Sequence, residues 1–170
     1  MSLISPQLKA KFDAVVARYP KGQEQSAVIP LLHAMQEQGG GRLTEADQKA
    51  VAEFLAVPVS KVHEVATFYT MYSLEPRGRQ HISICRTLPC ALCGCEGVTE
   101  AVRERLKVAP GEVTADGEFS YEEVECLAQC HLGPVLQVGD TVYGNLTPEK
   151  ASALIDELAR KGGAAAAKKD

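Results

Sequence analysis

The chain has 170 residues, 45% of them hydrophobic and 24% charged, ordinary proportions for a globular protein that exclude disorder over most of its length. Aromatic residues make up only 5% and Trp is absent, which argues against an aromatic sugar- or base-stacking surface. The balance of 18 basic against 22 acidic side chains gives −4, too acidic for a general nucleic-acid binder. That excess is uneven: residues 1–78 hold eight of each sign, and 79–170 hold ten basic and fourteen acidic. No apolar run approaches the ~20 residues of a membrane span. The start, MSLISPQLKAKF, lacks the basic and apolar segments of a signal peptide. A cytoplasmic setting with reduced thiols is therefore expected.

The first part reads as helical. Leu8, Phe12, Val15 and Val16 fall at helical spacing in 6–18, as do Val28, Leu31, Leu32 and Met35 in 25–38. Pro30 is tolerable there only in the first turn. Gly39-Gly40-Gly41 ends the second helix. Thr44 and Asp47 form a capping-box pattern opening a third helix through about Leu55. Pro58 and Ser60 open a fourth, with Val62, Val65, Ala66 and Tyr69 expected in the core. LEPRGRQ (74–80) is a polar Pro/Gly connector and the expected domain boundary.

Beyond it the period changes. Residues 81–84 alternate as a strand running into Cys85, and Gly94 onward fits a helix carrying Val98, Val102 and Leu106. A second strand is expected at 119–125. Residues 135–138 and 141–143 flank Gly139-Asp140 as a hairpin. A last helix, 148–160, starts at Pro148, and 161–170 is expected to be a flexible tail. The order β-α-β-β-β-α describes a small α+β layer.

All six cysteines lie between residues 85 and 130. In a reduced compartment such clustering points to metal or redox chemistry rather than disulfides. Cys85-x4-Cys90 and Cys126-x3-Cys130 each follow a strand, so the two loops can meet at one sheet edge. Four thiolates are what a 2Fe–2S cluster needs, two for each iron, with backbone N–H donors from the neighbourhood of Gly94, Gly97 and Gly133. A structural zinc site from Cys90, Cys93, Cys126 and Cys130, and a thiol–disulfide pair, Cys90 with Cys93, are alternatives. Cys93 and Cys95 read as spare thiols. No Gly-rich dinucleotide fingerprint is present, because Gly39-Gly40-Gly41 follows a helix rather than a strand.

The segments EVATFYTMYSLEPRGRQHISICRTLPC and VECLAQCHLGPVLQVGDTVYGNLTPEKASALIDEL closely resemble the thioredoxin-like 2Fe–2S subunits of respiratory complex I (the 24 kDa family of NADH:quinone oxidoreductase) and of related NAD-dependent hydrogenases and formate dehydrogenases. The resemblance extends to about residue 160. It implies a helical bundle at 1–73 that docks a partner, and a thioredoxin-like 2Fe–2S ferredoxin domain at 74–160. It also implies Cys85, Cys90, Cys126 and Cys130 as cluster ligands. The implied partners are a flavoprotein binding FMN and NADH, and further iron–sulfur subunits. The whole would be peripheral to the inner membrane through its complex, without membrane insertion, nucleic acid or a substrate site in this chain. Complex I is the preferred parent. A structural or assembly module, and a free-standing ferredoxin, are readings of other classes.

Four further expectations concern the surroundings of the cysteines. Ala128 stands where the family's loop usually has Gly. His131 is expected to face solvent rather than replace a thiolate. The acidic side chains between 112 and 125 are expected to form a solvated face, with Glu125 opposing the addition of an electron beside Cys126. Gly133-Pro134 is expected to be trans.

Overall fold

Four helices build the first of two compact units, which runs to Pro76; the second starts at Arg77. The computed structural model describes residues 3–166, with side chains to 161. In the first unit, α1 (Pro6–Val16), α2 (Val28–Gln38), α3 (Glu45–Leu55) and α4 (Val59–Phe68) follow one another. Each turns its periodic apolar positions inward: Phe12, Leu31, Leu32, Met35, Val51 and Val62 are fully buried in one core. Truncating one of these leucines to Ala costs about 2–5 kcal/mol.

The capping box at α3 is formed. Asp47 N–H donates to Thr44 Oγ1 at 3.2 Å, and Thr44 N–H donates to Asp47 Oδ2 at 2.8 Å. Pro30 sits in the first turn of α2, where no backbone donor is needed. A short 3₁₀ turn, Glu24–Ala27, precedes that helix where the pattern predicts its start. Tyr69 departs from expectation. The helix ends at Phe68, so Tyr69 is extended and exposed rather than in the core.

The second unit contains β1 (Gln80–Cys85), α5 (Leu88–Leu92), α6 (Cys95–Leu106), β2 (Phe119–Val124), β3 (Leu136–Val138), β4 (Thr141–Tyr143) and α7 (Pro148–Ala166). The strands form one sheet in the order β2-β1-β3-β4, with β1 parallel to β2 and antiparallel to β3. Ile82, Ile84, Tyr121 and Leu136 of the sheet meet Val98 and Val102 of α6 and Ala151 and Ile155 of α7 in a second core.

Three details differ from the sequence reading. The short helix α5 is additional; its signature, Thr87 ahead of Pro89, is an N-cap followed by an early proline. The last helix continues past 160 to Ala166, since no proline stops it and an alanine run sustains it beyond Gly162-Gly163. The expected tail thus begins as helix, and 167–170 lie outside the described residues. The Gly133-Pro134 bond is cis, not trans.

Candidate iron–sulfur centre

Strand pairing decides where the cysteines go. Because β1 and β2 run parallel, their C-terminal ends share one sheet edge, and Cys85 is the register partner of Val124. The loop after β1 carries Cys90 on α5. The loop after β2 carries Cys126 and then Cys130, in a 3₁₀ turn (Cys130–Leu132). A third segment, 133–135, enters β3 at the same edge, where Cys85 N–H donates to the Val135 carbonyl at 3.1 Å.

The thiols form two pairs of different exposure. Cys85 and Cys90 are buried with Cys95 and Val135, flanked by Leu127, Leu132 and Val142. Cys126 and Cys130 are exposed, their sulfurs 3.8 Å apart. Among the described residues, no three His, Cys, Asp or Glu side chains gather around one point that would hold a single ion. The arrangement is two and two.

Backbone amides aim at these sulfurs. Ala128 N–H donates to Cys126 Sγ at 3.3 Å. Burial pushes the Cys85 thiol up, but the Thr87 hydroxyl, 3.2 Å from Sγ, and the N–H groups of Thr87 and Leu127 outweigh it and hold the group below the usual thiol value. Cys90 moves the other way, raised to about 11 by burial and by its hydrogen bond to Cys85, with the Val135 N–H opposing. Cys130 is raised by its contact with Cys126. A thiolate set needs such donors, since each metal-bound sulfur carries negative charge.

Of the three glycines expected nearby, Gly133 is the one at which an added Cβ would meet a cysteine sulfur. A Cβ there would sit 3.6 Å from Cys90 Sγ and 3.7 Å from Cys93 Sγ. Gly97 instead faces Pro148 of α7, and Gly94 caps α6 with φ 90°. Ala128 has φ 59°, the left-handed conformation that favours Gly, and its amide donates to Cys126. His131 is exposed, as are Cys93 and the Leu88 and Leu92 side chains, while Cys95 is buried.

The acidic stretch is not one solvated face. Glu118 is buried and paired with Arg79 and Gln80. Glu122 pairs with Arg77 at 3.0 Å. Glu125 is exposed and accepts from Arg86 at 2.9 Å. Thr87 and Arg86 are site residues that the sequence reading missed. Their position directly after Cys85 was the available signal, but the partner of each comes from strand pairing.

The donor set fits a 2Fe–2S cluster: four thiols in two pairs, amide donors to the sulfurs, and a glycine surface that leaves room beside Cys90. A family model described as thioredoxin-like [2Fe-2S] ferredoxin matches residues 12–159. An NADH-quinone oxidoreductase subunit of Rickettsia bellii is 43% identical over 144 residues, covering 85% of this chain and 86% of the relative. Its namesake from Rickettsia conorii is 39% identical over 146 residues, covering 86% and 87%. Among solved structures, an NAD+-reducing [NiFe]-hydrogenase in the air-oxidized state superposes with a TM-score of 0.68 at 17% identity. That likeness concerns the fold; it covers 79% of this chain and 23% of the hydrogenase chain.

Proposed function

This chain belongs to the thioredoxin-like [2Fe-2S] ferredoxin family, and from that membership we propose that it is the electron-transfer subunit of the NADH-oxidising module of an NADH:quinone oxidoreductase. Cys85, Cys90, Cys126 and Cys130 hold one 2Fe–2S cluster, which when bound takes up and returns a single electron. The observation that carries this reading is the parallel register of β1 and β2, which sets a C-x4-C loop and a C-x3-C loop side by side at one edge.

The chain's own residues do three things there. The amides of Thr87, Leu127, Ala128 and Val135 donate to sulfur and offset negative charge. Val135, Leu127, Leu132 and Val142 keep water from Cys85 and Cys90. The exposed pair, Cys126 and Cys130, leaves one side of the site open to a partner.

That partner is a flavoprotein that binds FMN and NADH, so hydride chemistry occurs outside this chain and no substrate site is needed within it. Further iron–sulfur subunits belong to the same assembly. The assembly is peripheral to the membrane; among the described residues no helix is long and apolar enough to cross one. A hydrogenase or formate dehydrogenase would use the same subunit. The quinone oxidoreductase is favoured because relatives so named are about 40% identical over most of the chain.

The test is anaerobic purification of the full chain, with iron and sulfide analysis and ultraviolet–visible and EPR spectra. Two irons and two sulfides per chain are expected. Serine at position 85, 90, 126 or 130 should abolish or alter the spectrum. Iron-free, colourless protein, or an unchanged spectrum for Cys126→Ser, overturns the assignment.

A further inference from the structure

Of the four cysteines, Cys130 lies furthest along the chain from a strand. It sits midway between the end of β2 at Val124 and the start of β3 at Leu136, exposed, in the 3₁₀ turn Cys130–Leu132. Two backbone bonds shape that turn: Leu132 N–H donates to the Gln129 carbonyl at 2.9 Å, and Gly133 N–H to the Cys130 carbonyl at 3.3 Å. Neither ties it to the rest of the molecule. The segment between β4 and α7 does. Asn145 N–H donates to the Leu132 carbonyl, and Leu146 N–H donates to the Pro134 carbonyl at 3.3 Å. Gly144 lies flat against Leu132: a Cβ on it would stand 2.5 Å from Leu132 Cβ and 3.0 Å from the Leu132 carbonyl oxygen.

We infer that Gly144 is a positioning residue for the iron–sulfur centre: by having no side chain it lets the β4–α7 segment close on Leu132 and so sets where Cys130 stands. The inference rests on the 2Fe–2S reading above and adds a residue from outside both cysteine loops. Gly144 is not among the residues of positive φ. Its backbone would therefore accept a side chain; the approach of Leu132 is what calls for glycine. Were a methyl placed there, the two sides would have to part by about 1 Å to reach an ordinary carbon–carbon contact of roughly 3.5–4.0 Å. No rotamer change relieves this, since the Leu132 Cβ and carbonyl oxygen move with the backbone. The Gly144 side is the better anchored. Tyr143 pairs with Leu136 in the sheet, Leu146 is buried in the second core, and Lys150 Nζ donates to the Asn145 carbonyl at 2.9 Å. The turn carrying Cys130 has no such hold, so it is the side that yields. A metal site tolerates about 0.5 Å in the placement of its ligands, less than the displacement required.

The experiment uses the full-length, cluster-loaded chain under anaerobic conditions. Iron release to a chelator is followed by the visible spectrum, and the EPR spectrum of the reduced protein is recorded. Gly144→Ala should release iron about tenfold faster than wild type, the scale for disturbing the support of a metal ligand, and should shift the EPR g-values. Gly139→Ala is the control for general weakening of the same hairpin. Its φ of 56° strains an alanine, but beyond its chain neighbours no atom lies within 4 Å of the added Cβ. It should lower the urea midpoint, leave iron release within about twofold of wild type and keep the EPR spectrum. Leu132→Gly removes the Cβ that the new methyl strikes, so in that background Gly144→Ala should change iron release by less than about threefold.

The inference is overturned if Gly144→Ala keeps the wild-type EPR spectrum and release rate, or if Gly139→Ala speeds release as much as Gly144→Ala does. It is also overturned if the alanine costs as much without the Leu132 side chain as with it. Should Gly144→Ala yield no folded protein, the Leu132→Gly background decides: recovery of a folded, coloured double variant supports the inference, and no recovery overturns it. Wild-type protein without a cluster would overturn the 2Fe–2S reading itself, which is a separate result.

Discussion

Arg86, the residue after the first cysteine of the site, donates through Nη2 to Glu125, the residue before the third, at 2.9 Å. The two meet because β1 and β2 end side by side. Glu125, taken from the sequence as a bare negative charge beside Cys126, therefore has a compensating cation. Both side chains are exposed.

Reduction adds negative charge at the site, so neighbouring charges tune its potential. Glu125→Gln should raise the potential and Arg86→Gln should lower it. Each shift should be on the order of tens of millivolts, the scale for one charge about 10 Å away through well-solvated protein. The double variant should return close to wild type. An EPR-monitored redox titration reads all three; a fall with Glu125→Gln would contradict the electrostatic account.

The two additional cysteines should separate by burial. Cys95 packs among Cys85, Cys90 and Val135, whereas Cys93 is exposed. Cys93→Ser should leave both spectrum and stability unchanged. Cys95→Ser should keep the spectrum but lose about 1–2 kcal/mol, because a hydroxyl is buried without a ready partner. Urea denaturation alongside the visible spectrum checks both.

Ala128 combines a left-handed backbone with an amide aimed at Cys126. A side chain there costs about 1 kcal/mol relative to glycine in that conformation, partly offset by the greater freedom of glycine in the unfolded chain. Ala128→Gly should thus fall within about 1 kcal/mol of wild type. Ala128→Val should destabilise by about 1–2 kcal/mol, since a β-branched side chain fits that backbone worse. It should also shed iron faster under a chelator. Equal iron-loss rates for the Val variant and wild type would show that this amide contributes nothing.

Acid should weaken the fold at a definite place. The His81 ring, 3.0 Å away, and the Arg77 guanidinium hold the Glu122 carboxyl below its usual range despite its partial burial. A carboxyl lowered in the native state stabilises fully above its ordinary value of 4.5. That contribution disappears as pH falls through the lowered native value. Glu122→Gln should be less stable at pH 7 by about 1 kcal/mol, a figure kept small because the carboxylate is a third exposed. Its disadvantage should shrink below pH 4.5, a difference that urea midpoints at pH 7, 5 and 3.5 will reveal.

Local patterns carried much of the first unit. Apolar residues at helical spacing, the Thr44–Asp47 box and the triple glycine each depend on neighbours within a few residues, and four helices appear with Tyr69 as the main misplaced core residue. In the second unit the strand and helix order was equally legible. Helix α5 was not, because it is only five residues long and too short to show a period. Gly94 and Gly97 were assigned to the cysteines by proximity in sequence, yet their surroundings depend on α6 and its packing against α7.

The sequence by itself determined the chemistry on offer: which residues are thiols, how far apart each pair stands along the chain, and that each pair follows a strand. Only the tertiary structure decided that the strands carrying them are parallel neighbours, that Cys85 and Cys90 are buried while Cys126 and Cys130 are exposed, and that Glu125 is neutralised. The physical reason is range. Spacing, caps and periodicity are relations over a few residues, whereas strand register joins positions about forty apart, and a one-residue slip would turn every side chain of the strand to its opposite face.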